Sequence, residues 1–261
     1  MAGGITEKLF STHIEGIGGN SFVDFGPINV AHMSGLNDAV TISFDSGYFW
    51  NIVPEGIRFG EEQDQLEFFL ESTNYLILTS STAFNFVPKN LADDFFYNLF
   101  NKFRLAYRVE NGMFIVECSL ALPSIHFLLG DYWVTVNGSD MLIDISPNND
   151  RSLCVCTFLP SQDEIWVLGQ SLYKDYYMTH NPDKRQITFT PTEKRIKSPL
   201  KPGEKPQLKF TKAYNWTFFA IKFGSMLAMC GITYGFIKAI ETCTAIPFLE
   251  AASQESYKAK H

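Results

Sequence analysis

Basic residues are in the minority in this sequence, which excludes one large class of function. Lys and Arg number 21 against 28 Asp and Glu, so the formal net charge is −7 over 261 residues. A protein that follows a phosphate backbone needs a basic stripe, and we therefore expect no nucleic-acid partner. The 46% hydrophobic and 15% aromatic content indicates instead a folded chain with a substantial core.

Cysteine and histidine are scarce as well. The five cysteines are too few for a disulfide scaffold, and Val155 alone separates Cys154 from Cys156, so the sequence has no CxxC pair. The five histidines show no metal-ligand spacing. The glycine-rich stretch 16–19 lacks the Lys-Ser/Thr of a phosphate-binding loop. We predict no metal and no cofactor.

The two ends of the sequence differ in apolar content. Residues 1–10 contain neither the apolar core of a signal peptide nor an Arg-rich amphipathic pattern, so we expect no cleavable leader. Residues 214–240 are largely apolar and long enough to cross a bilayer, which takes about 20 residues. Trp216 and Lys238 would lie at the two interfaces. We predict one transmembrane helix here; the alternative is a core helix of a soluble protein, because Lys222 lies inside one end.

Small residues follow one stripe of this predicted helix. Gly224, Ala228, Gly231 and Gly235 are separated by steps of four, three and four, which places all four on one helix face. Such a stripe lets another transmembrane helix approach closely. The cation of Lys222 also needs shelter from lipid. We therefore predict that this helix packs against the transmembrane helix of another protein.

Residues 5–190 alternate short apolar runs with turn signals such as Asn111-Gly112, a pattern typical of an all-β domain. The clearest predicted strands are 22–25, 76–78, 114–118, 132–136, 166–168 and 186–189. One helix is predicted over 90–103, where apolar residues recur every four positions. The predicted organisation is a domain at 1–190, a basic, Pro-rich linker at 191–213 that stays extended and solvated, the transmembrane helix at 214–240, and a polar tail at 241–261.

The segment 166–177 carries the strongest local signal. It reads Trp-Val-Leu-Gly-Gln-Ser-Leu-Tyr-Lys-Asp-Tyr-Tyr, and residues 181–189 follow as Asn-Pro-Asp-Lys-Arg-Gln-Ile-Thr-Phe. These residues closely resemble the closing segment of the pepsin-like aspartic proteases, in which Trp-Ile-Leu-Gly-Asp leads into a short helix and then a strand. Gln170, Asn181 and Thr188 are small departures from the family's pattern.

Earlier landmarks occur in the family's order. They are the opening strand at 9–14, the FGGID-like turn at 22–29, the YTG-x-L step at 34–36, the YW-x-I-x-V strand at 50–53 and the LP-x-I-x-F segment at 122–127. The resemblance covers residues 5–190, all of it C-terminal lobe. It implies a single pepsin-like lobe, all-β with few short helices. It also implies a disulfide between Cys118 and Cys154, which would favour an oxidising compartment.

The catalytic aspartate of this lobe is missing where the resemblance would place it. Residues 75–88 resemble A-I-V-D-T-G-T-S-x-L-x-x-P, which puts Thr79, Ser80 and Ser81 in the positions of Asp-Thr-Gly. The family's chemistry needs two carboxylates that share one proton, and a threonine hydroxyl cannot accept that proton near neutral pH. The alternative is Asp45 in a literal Asp-Ser-Gly, although Asp45 precedes the YW-x-I-x-V strand and the family's loop follows that strand.

These features predict a non-enzymatic pseudoprotease lobe. A lone lobe exposes the face that would contact a second lobe, and exposed apolar faces mark protein contact sites. We expect an accessory subunit of a membrane complex, by analogy a protist respiratory complex of the mitochondrial inner membrane. Its partners would be other subunits, bound through the lobe face and the transmembrane helix, and the lipid bilayer. Basic residues before the span favour a cytoplasmic or matrix-side lobe. The alternatives are a peptide-binding pseudoprotease receptor or inhibitor, and half of an aspartic protease that needs a second chain.

Overall fold

The computed structural model of the chain describes residues 8–15, 19–27, 39–44, 50–61, 65–70, 74–147, 150–192 and 201–207. These residues form many short strands and a few short helices. The prediction of a mostly β domain with few helices is confirmed. The chain divides into two units, 1–212 and 213–261, and the second lies entirely outside the described residues.

Strands two to six residues long are the commonest elements of the described chain. In order they are β1 (Phe10–His13), β2 (Phe22–Phe25), β3 (Val40–Ser43), β4 (Asn51–Ile52), β5 (Pro54–Phe59), β6 (Leu66–Phe69), β7 (Leu76–Leu78), β8 (Asn85–Val87), β9 (Arg108–Glu110), β10 (Met113–Val116), β11 (Ile125–Leu129), β12 (Tyr132–Val136), β13 (Leu142–Asp144), β14 (Cys154–Cys156), β15 (Phe158–Pro160), β16 (Trp166–Leu168), β17 (Tyr176–Asn181), β18 (Gln186–Pro191) and β19 (Lys201–Pro202). Four of the six predicted strands, now β2, β7, β12 and β16, have the predicted bounds. β10 ends before the predicted residue 118, because the chain turns at Cys118, and β18 runs two residues beyond 189.

The helices are short. They are α1 (Ala92–Phe96), a π-helical turn (Tyr97–Asn101) that continues α1, a 3-10 helix (Gly138–Met141) and α2 (Gln170–Tyr173). The first two occupy the predicted helix at 90–103, and Phe95 and Leu99 of its apolar repeat are fully buried. An apolar residue every fourth position keeps one side of a helix turned to the core.

The described strands form four sheets. Their strand orders are β2-β1-β17-β18-β3 (sheet 1), β13-β14-β10-β9 (sheet 2), β19-β12-β11-β5-β6 (sheet 3) and β15-β8-β16-β7-β4 (sheet 4). Among the described strands, pairing is antiparallel except in sheet 4, where β16 lies parallel to β7 and β15 parallel to β8. Parallel pairing brings the carboxyl ends of strands distant in sequence to the same edge.

One hydrophobic core lies between the inward faces of these sheets and α1. Trp166 of β16 is fully buried near its centre. The indole meets the rings of Phe95 and Phe127 edge-on, at centroid distances of 5.7 and 5.3 Å. Edge-to-face pairs add about 0.5–1.5 kcal/mol to the burial of apolar area. The core therefore fixes β16, whose end borders the candidate site.

A later part of the predicted linker packs against sheet 3, although most of its described side chains stay exposed. Residues 201–207, here called the strap, begin with β19, which pairs with β12 along sheet 3. Gly203 lies so close to Trp133 that a Cβ there would collide with the indole, and Pro206 is buried against Gly56. The strap is extended, as predicted, but it docks because a bare glycine and a proline ring fit this surface. Composition alone could not reveal that fit.

No helix in the described part of the chain is long and apolar enough to cross a membrane. The predicted span at 214–240 lies outside the described residues, and so does the predicted polar tail at 241–261. The predicted packing stripe falls there too: Gly224, Ala228, Gly231 and Gly235.

Candidate active-site loop

The parallel pair of β7 and β16 brings two loops together. Thr79 follows β7 directly, and Gly169 follows β16. The register pairs Leu78 with Leu168, and the Thr79 amide donates to the Leu168 carbonyl over 3.0 Å. Both loops therefore lie at one edge of sheet 4, with the loop at which the resemblance expects an aspartate directly after β7.

The loop after β7 carries hydroxyls and no carboxylate. Residues 79–84 read Thr-Ser-Ser-Thr-Ala-Phe, and Ser80 and Ser81 are exposed. The hydroxyl oxygens of Thr79 and Ser81 are hydrogen-bonded at 2.7 Å, and the Ser81 amide donates to the Thr79 hydroxyl oxygen over 3.2 Å. Such hydroxyls can exchange hydrogen bonds with water or a peptide, but they do not ionise or store a proton at neutral pH.

Gln170 holds this loop from the other side. Its Nε2 donates to the Ser80 carbonyl over 3.1 Å, and its backbone N–H donates to the Thr82 carbonyl over 2.9 Å. An ionised aspartate at position 170, the usual residue in the pepsin-like pattern, could only accept hydrogen bonds. It could not bind a carbonyl in this way. The departure at Gln170 is thus matched to the conformation of the loop.

The two loops approach each other closely at Gly169. A Cβ on Gly169 would collide with the carbonyl oxygens of Phe84 and Thr82. These are backbone atoms, which cannot move aside as a flexible side chain can. Glycine is therefore required where the end of β16 meets the loop.

A buried asparagine joins both loops to the strands behind them. Asn85 is fully buried, and its Oδ1 accepts hydrogen bonds from the Gly169 amide at 2.8 Å and the Ser171 hydroxyl at 2.9 Å. Its Nδ2 donates to the Thr157 hydroxyl over 3.0 Å. A satisfied buried network of this kind makes its surroundings rigid. Sequence reasoning missed Asn85, although a single amide inside the apolar run Phe-Asn-Phe-Val was a usable signal.

Asp45, the alternative candidate for the catalytic residue, lies outside the described residues. The strand that follows it along the chain is β4, which pairs antiparallel with β7 through Asn51 and Ile77. The chain therefore passes through β4 and then β5 and β6 before it reaches the loop at Thr79. The assignment of the catalytic position to Thr79 and not to Asp45 stays a prediction.

Cys118 and Cys154, the pair that the resemblance implies, are joined by a disulfide with their Cα atoms 4.9 Å apart. Cys156 is free and buried, and burial raises the pKa of its thiol to about 12. It is therefore an unreactive thiol at neutral pH. Among the described residues, the only cluster of three possible metal ligands is Cys118, Asp144 and Cys154. Its two sulfurs are bonded to each other, and neither is a thiolate that could bind a metal.

His180 occupies an aromatic cluster that sequence reasoning did not foresee. Its ring is stacked on Phe10 at a centroid distance of 4.6 Å, and Trp50 and Tyr173 contact it at 4.7 and 6.2 Å. Only 1% of the residue is exposed, and its Nδ1 has no hydrogen-bond partner. Burial therefore lowers the pKa of the imidazole to about 4, because the charged form would lose its hydration.

The edge of sheet 1 carries two exposed apolar side chains. Val23 is 51% and Phe25 70% exposed. Both lie on the same side of β2, whose neighbour among the described strands is β1 alone. An edge strand offers unpaired backbone groups, and here they are combined with apolar side chains.

Comparison with known proteins agrees with the resemblance. The family model for eukaryotic aspartyl proteases matches residues 1–192. Among curated proteins, the chain is similar to the probable aspartic-type endopeptidase OPSB of Arthroderma otae, with 21% identity over 184 residues that cover 64% of this chain and 37% of the relative. The proteins of the same name from Arthroderma benhamiae and Trichophyton verrucosum match with 21% identity over 64% of this chain and 36% of their own length.

The matched region contains all the described strands except β19. The family model ends at residue 192, and β18 ends one residue earlier at Pro191. The chain spans little more than a third of the length of the curated relatives it matches. The pepsin-like resemblance of residues 5–190 is confirmed at the level of the family. The chain belongs to the eukaryotic aspartyl protease family.

Proposed function

We propose that this protein is a catalytically inactive lobe of the aspartyl protease family that serves as an accessory subunit of a membrane complex. One observation carries the proposal. The loop after β7 has Thr79, Ser80 and Ser81 where the family's pattern has Asp-Thr-Gly. The hydroxyls of Thr79 and Ser81 are hydrogen-bonded to each other. No acidic residue occurs from Leu76 to Val87.

The chemistry of the family explains why this substitution matters. Two carboxylates that share one proton activate the attacking water, and they do so because they cannot both ionise when held close together. A threonine hydroxyl supplies neither the negative charge nor the shared proton. Ser81 also adds a side chain where the pattern has glycine. Neither this chain nor a homodimer of it would contain the pair of carboxylates in these loops.

A lobe without catalysis still has a contact surface. Val23 and Phe25 extend the apolar face of sheet 1 to its edge, where they are half or more exposed. Exposed apolar residues beside a strand edge that no described strand pairs with favour a protein partner. We therefore assign the lobe a structural role in which another subunit covers this edge.

The membrane part of the proposal rests on residues 214–240. Their length and apolar character suit one span, and the stripe of small residues suits a helix partner. The mitochondrial inner membrane is the location we propose, by analogy with accessory subunits of protist respiratory complexes. The partners are then other membrane subunits and the bilayer itself.

Purified protein is expected to show no pepstatin-sensitive cleavage of a denatured substrate between pH 3 and 7. The physical reason is the missing carboxylate at Thr79, and the measurement is release of fluorescent peptides over several hours. Thr79→Ala serves as the matched control, since it should change nothing. Cleavage that disappears in Asp45→Asn but persists in Thr79→Ala would place the catalytic residue at Asp45 and contradict the assignment.

Gly231→Leu is expected to release the chain from a large assembly in mild detergent while the lobe stays folded. Leucine fills the groove that a neighbouring helix would occupy. The measurement is migration on a native gel, together with the thermal unfolding of the lobe. Thr233→Leu is the matched control, because on a helix it lies about 200° away from Gly231. If Gly231→Leu migrates with the assembly as the wild type does, the span is a passive anchor.

A further inference from the structure

Sheet 2 ends in a short, exposed strand. Among the described strands, β9 pairs with β10 alone and forms the outer edge of the sheet. The hairpin that carries it lies within the continuous described stretch 74–147. Val109 of β9 is 55% exposed, and Tyr107, just before the strand, is 42% exposed. An edge of this kind can accept a further strand.

The turn after β9 fixes which backbone groups face outward. Asn111 and Gly112 have φ angles of 51° and 78°, and the two-residue type I′ turn of a β-hairpin requires both to be positive. Glu110 and Met113, on either side of the turn, are therefore joined by hydrogen bonds. Because the backbone groups of successive residues point to opposite sides of a strand, the N–H and carbonyl of Val109 point away from β10. They are the groups that a further strand would bind.

One face of β9 is apolar. Side chains alternate along a strand, so Tyr107 and Val109 lie on the same face. The ring of Tyr107 packs against the rings of Phe100 and Phe114, at centroid distances of 4.6 and 5.6 Å. Val109 lies opposite Phe114 in the register of the hairpin. The aromatic packing behind α1 therefore continues to the exposed edge, where burial of Val109 would be favourable.

The other face carries one charge of each sign. Arg108 and Glu110 flank Val109, with the Arg108 Nε 3.0 Å from a Glu110 carboxylate oxygen and more than half of each side chain exposed. In an antiparallel pair of two β9 strands centred on Val109, Arg108 of each copy lies opposite Glu110 of the other. A parallel pair in register would place like charges opposite each other, which is unfavourable. The sequence Arg-Val-Glu is therefore complementary to itself in the antiparallel arrangement.

We propose that β9 pairs antiparallel with β9 of a second copy of this chain, across a two-fold axis at Val109. The two Val109 residues exchange both of their outward backbone hydrogen bonds, and the four-stranded sheet 2 of one copy continues into that of the other. The contact is isologous, as in most homodimers. It goes beyond the accessory-subunit role and uses a different sheet edge from the one assigned to another subunit.

The test uses the full chain in mild detergent, where sedimentation in a solvent matched to the density of the detergent gives the mass of the protein alone. The wild type is expected to form dimers. Arg108→Glu and Glu110→Arg are each expected to raise the dimer dissociation constant about tenfold or more, because each creates two like-charge contacts across the axis. The double variant Arg108→Glu/Glu110→Arg should dimerise as the wild type does. Lys184→Glu, the same charge reversal on an exposed residue outside sheet 2, is the matched control and should change nothing.

A mixture of the two single variants tests the register directly. In a mixed dimer both contacts join opposite charges, so tagged Arg108→Glu is expected to retain untagged Glu110→Arg but not untagged Arg108→Glu. Val109→Pro is a further variant, because it removes an outward N–H without breaking a bond to β10. It should weaken the dimer about tenfold or more and leave the thermal unfolding of the lobe unchanged.

A monomeric wild type would overturn the proposal. So would an association that neither charge reversal nor Val109→Pro weakens, since another surface such as the predicted span would then hold the copies together. Failure of the mixed variants to associate would exclude the antiparallel register. None of these outcomes depends on the native-gel assay of Gly231→Leu, so the dimer can fail while the subunit role stands, and the reverse.

Discussion

Replacement of Cys118 and Cys154 by alanine together is expected to lower the free energy of unfolding by about 4 kcal/mol. The disulfide joins residues 36 positions apart, and its loss frees a loop of that length in the unfolded chain. The folded chain keeps most of its contacts, because β14 remains paired with β10 and β13. Urea denaturation at pH 7 under non-reducing conditions is the measurement.

Two controls separate the cross-link from the side chains. Cys156→Ala removes a buried thiol without breaking any bond, and it should cost only about 1 kcal/mol. A dithiol reductant should lower the stability of the wild type to that of the double variant and leave the double variant unchanged. A double variant within about 1 kcal/mol of the wild type would mean that the disulfide does little to hold the lobe together.

At pH 4 the wild-type lobe is expected to be about 3 kcal/mol less stable than at pH 7 through His180 alone. In the unfolded chain the imidazole titrates near its ordinary pKa of 6.5, whereas burial lowers the folded pKa to about 4. Between these two values the unfolded state binds the proton and the folded state does not. Stability therefore falls as the pH drops from 6.5 towards 4, and this group adds no further loss well below pH 4.

His180→Phe is the variant that isolates this effect. Phenylalanine keeps an aromatic ring against Phe10, Trp50 and Tyr173 but takes up no proton. Urea denaturation at pH 7 and pH 4 measures the loss for both proteins, and the carboxylates of the lobe contribute equally to each. The variant is expected to lose about 3 kcal/mol less than the wild type. The same loss in both proteins would show that His180 is not the acid-sensitive group.

The sequence alone determined the elements whose signals are local. β7 and β16 had the predicted bounds, because short apolar runs between turn residues specify strands directly. The helix at 90–103 could be predicted because apolar residues, Phe95 and Leu99 among them, recur every four positions. The absence of a carboxylate at Thr79 was also visible in the sequence, since it depends only on which residue stands after β7.

Tertiary structure decided what depends on residues far apart in the chain. His180 loses its charge because Phe10, Trp50 and Tyr173 come from different elements to surround it, and no sequence window contains all four residues. Asn85 joins two loops for the same reason. The strap packs against sheet 3 because Gly203 fits against Trp133. Burial and close contact depend on how distant segments pack together in the fold. The order of residues in the sequence shows only which residues are neighbours along the chain.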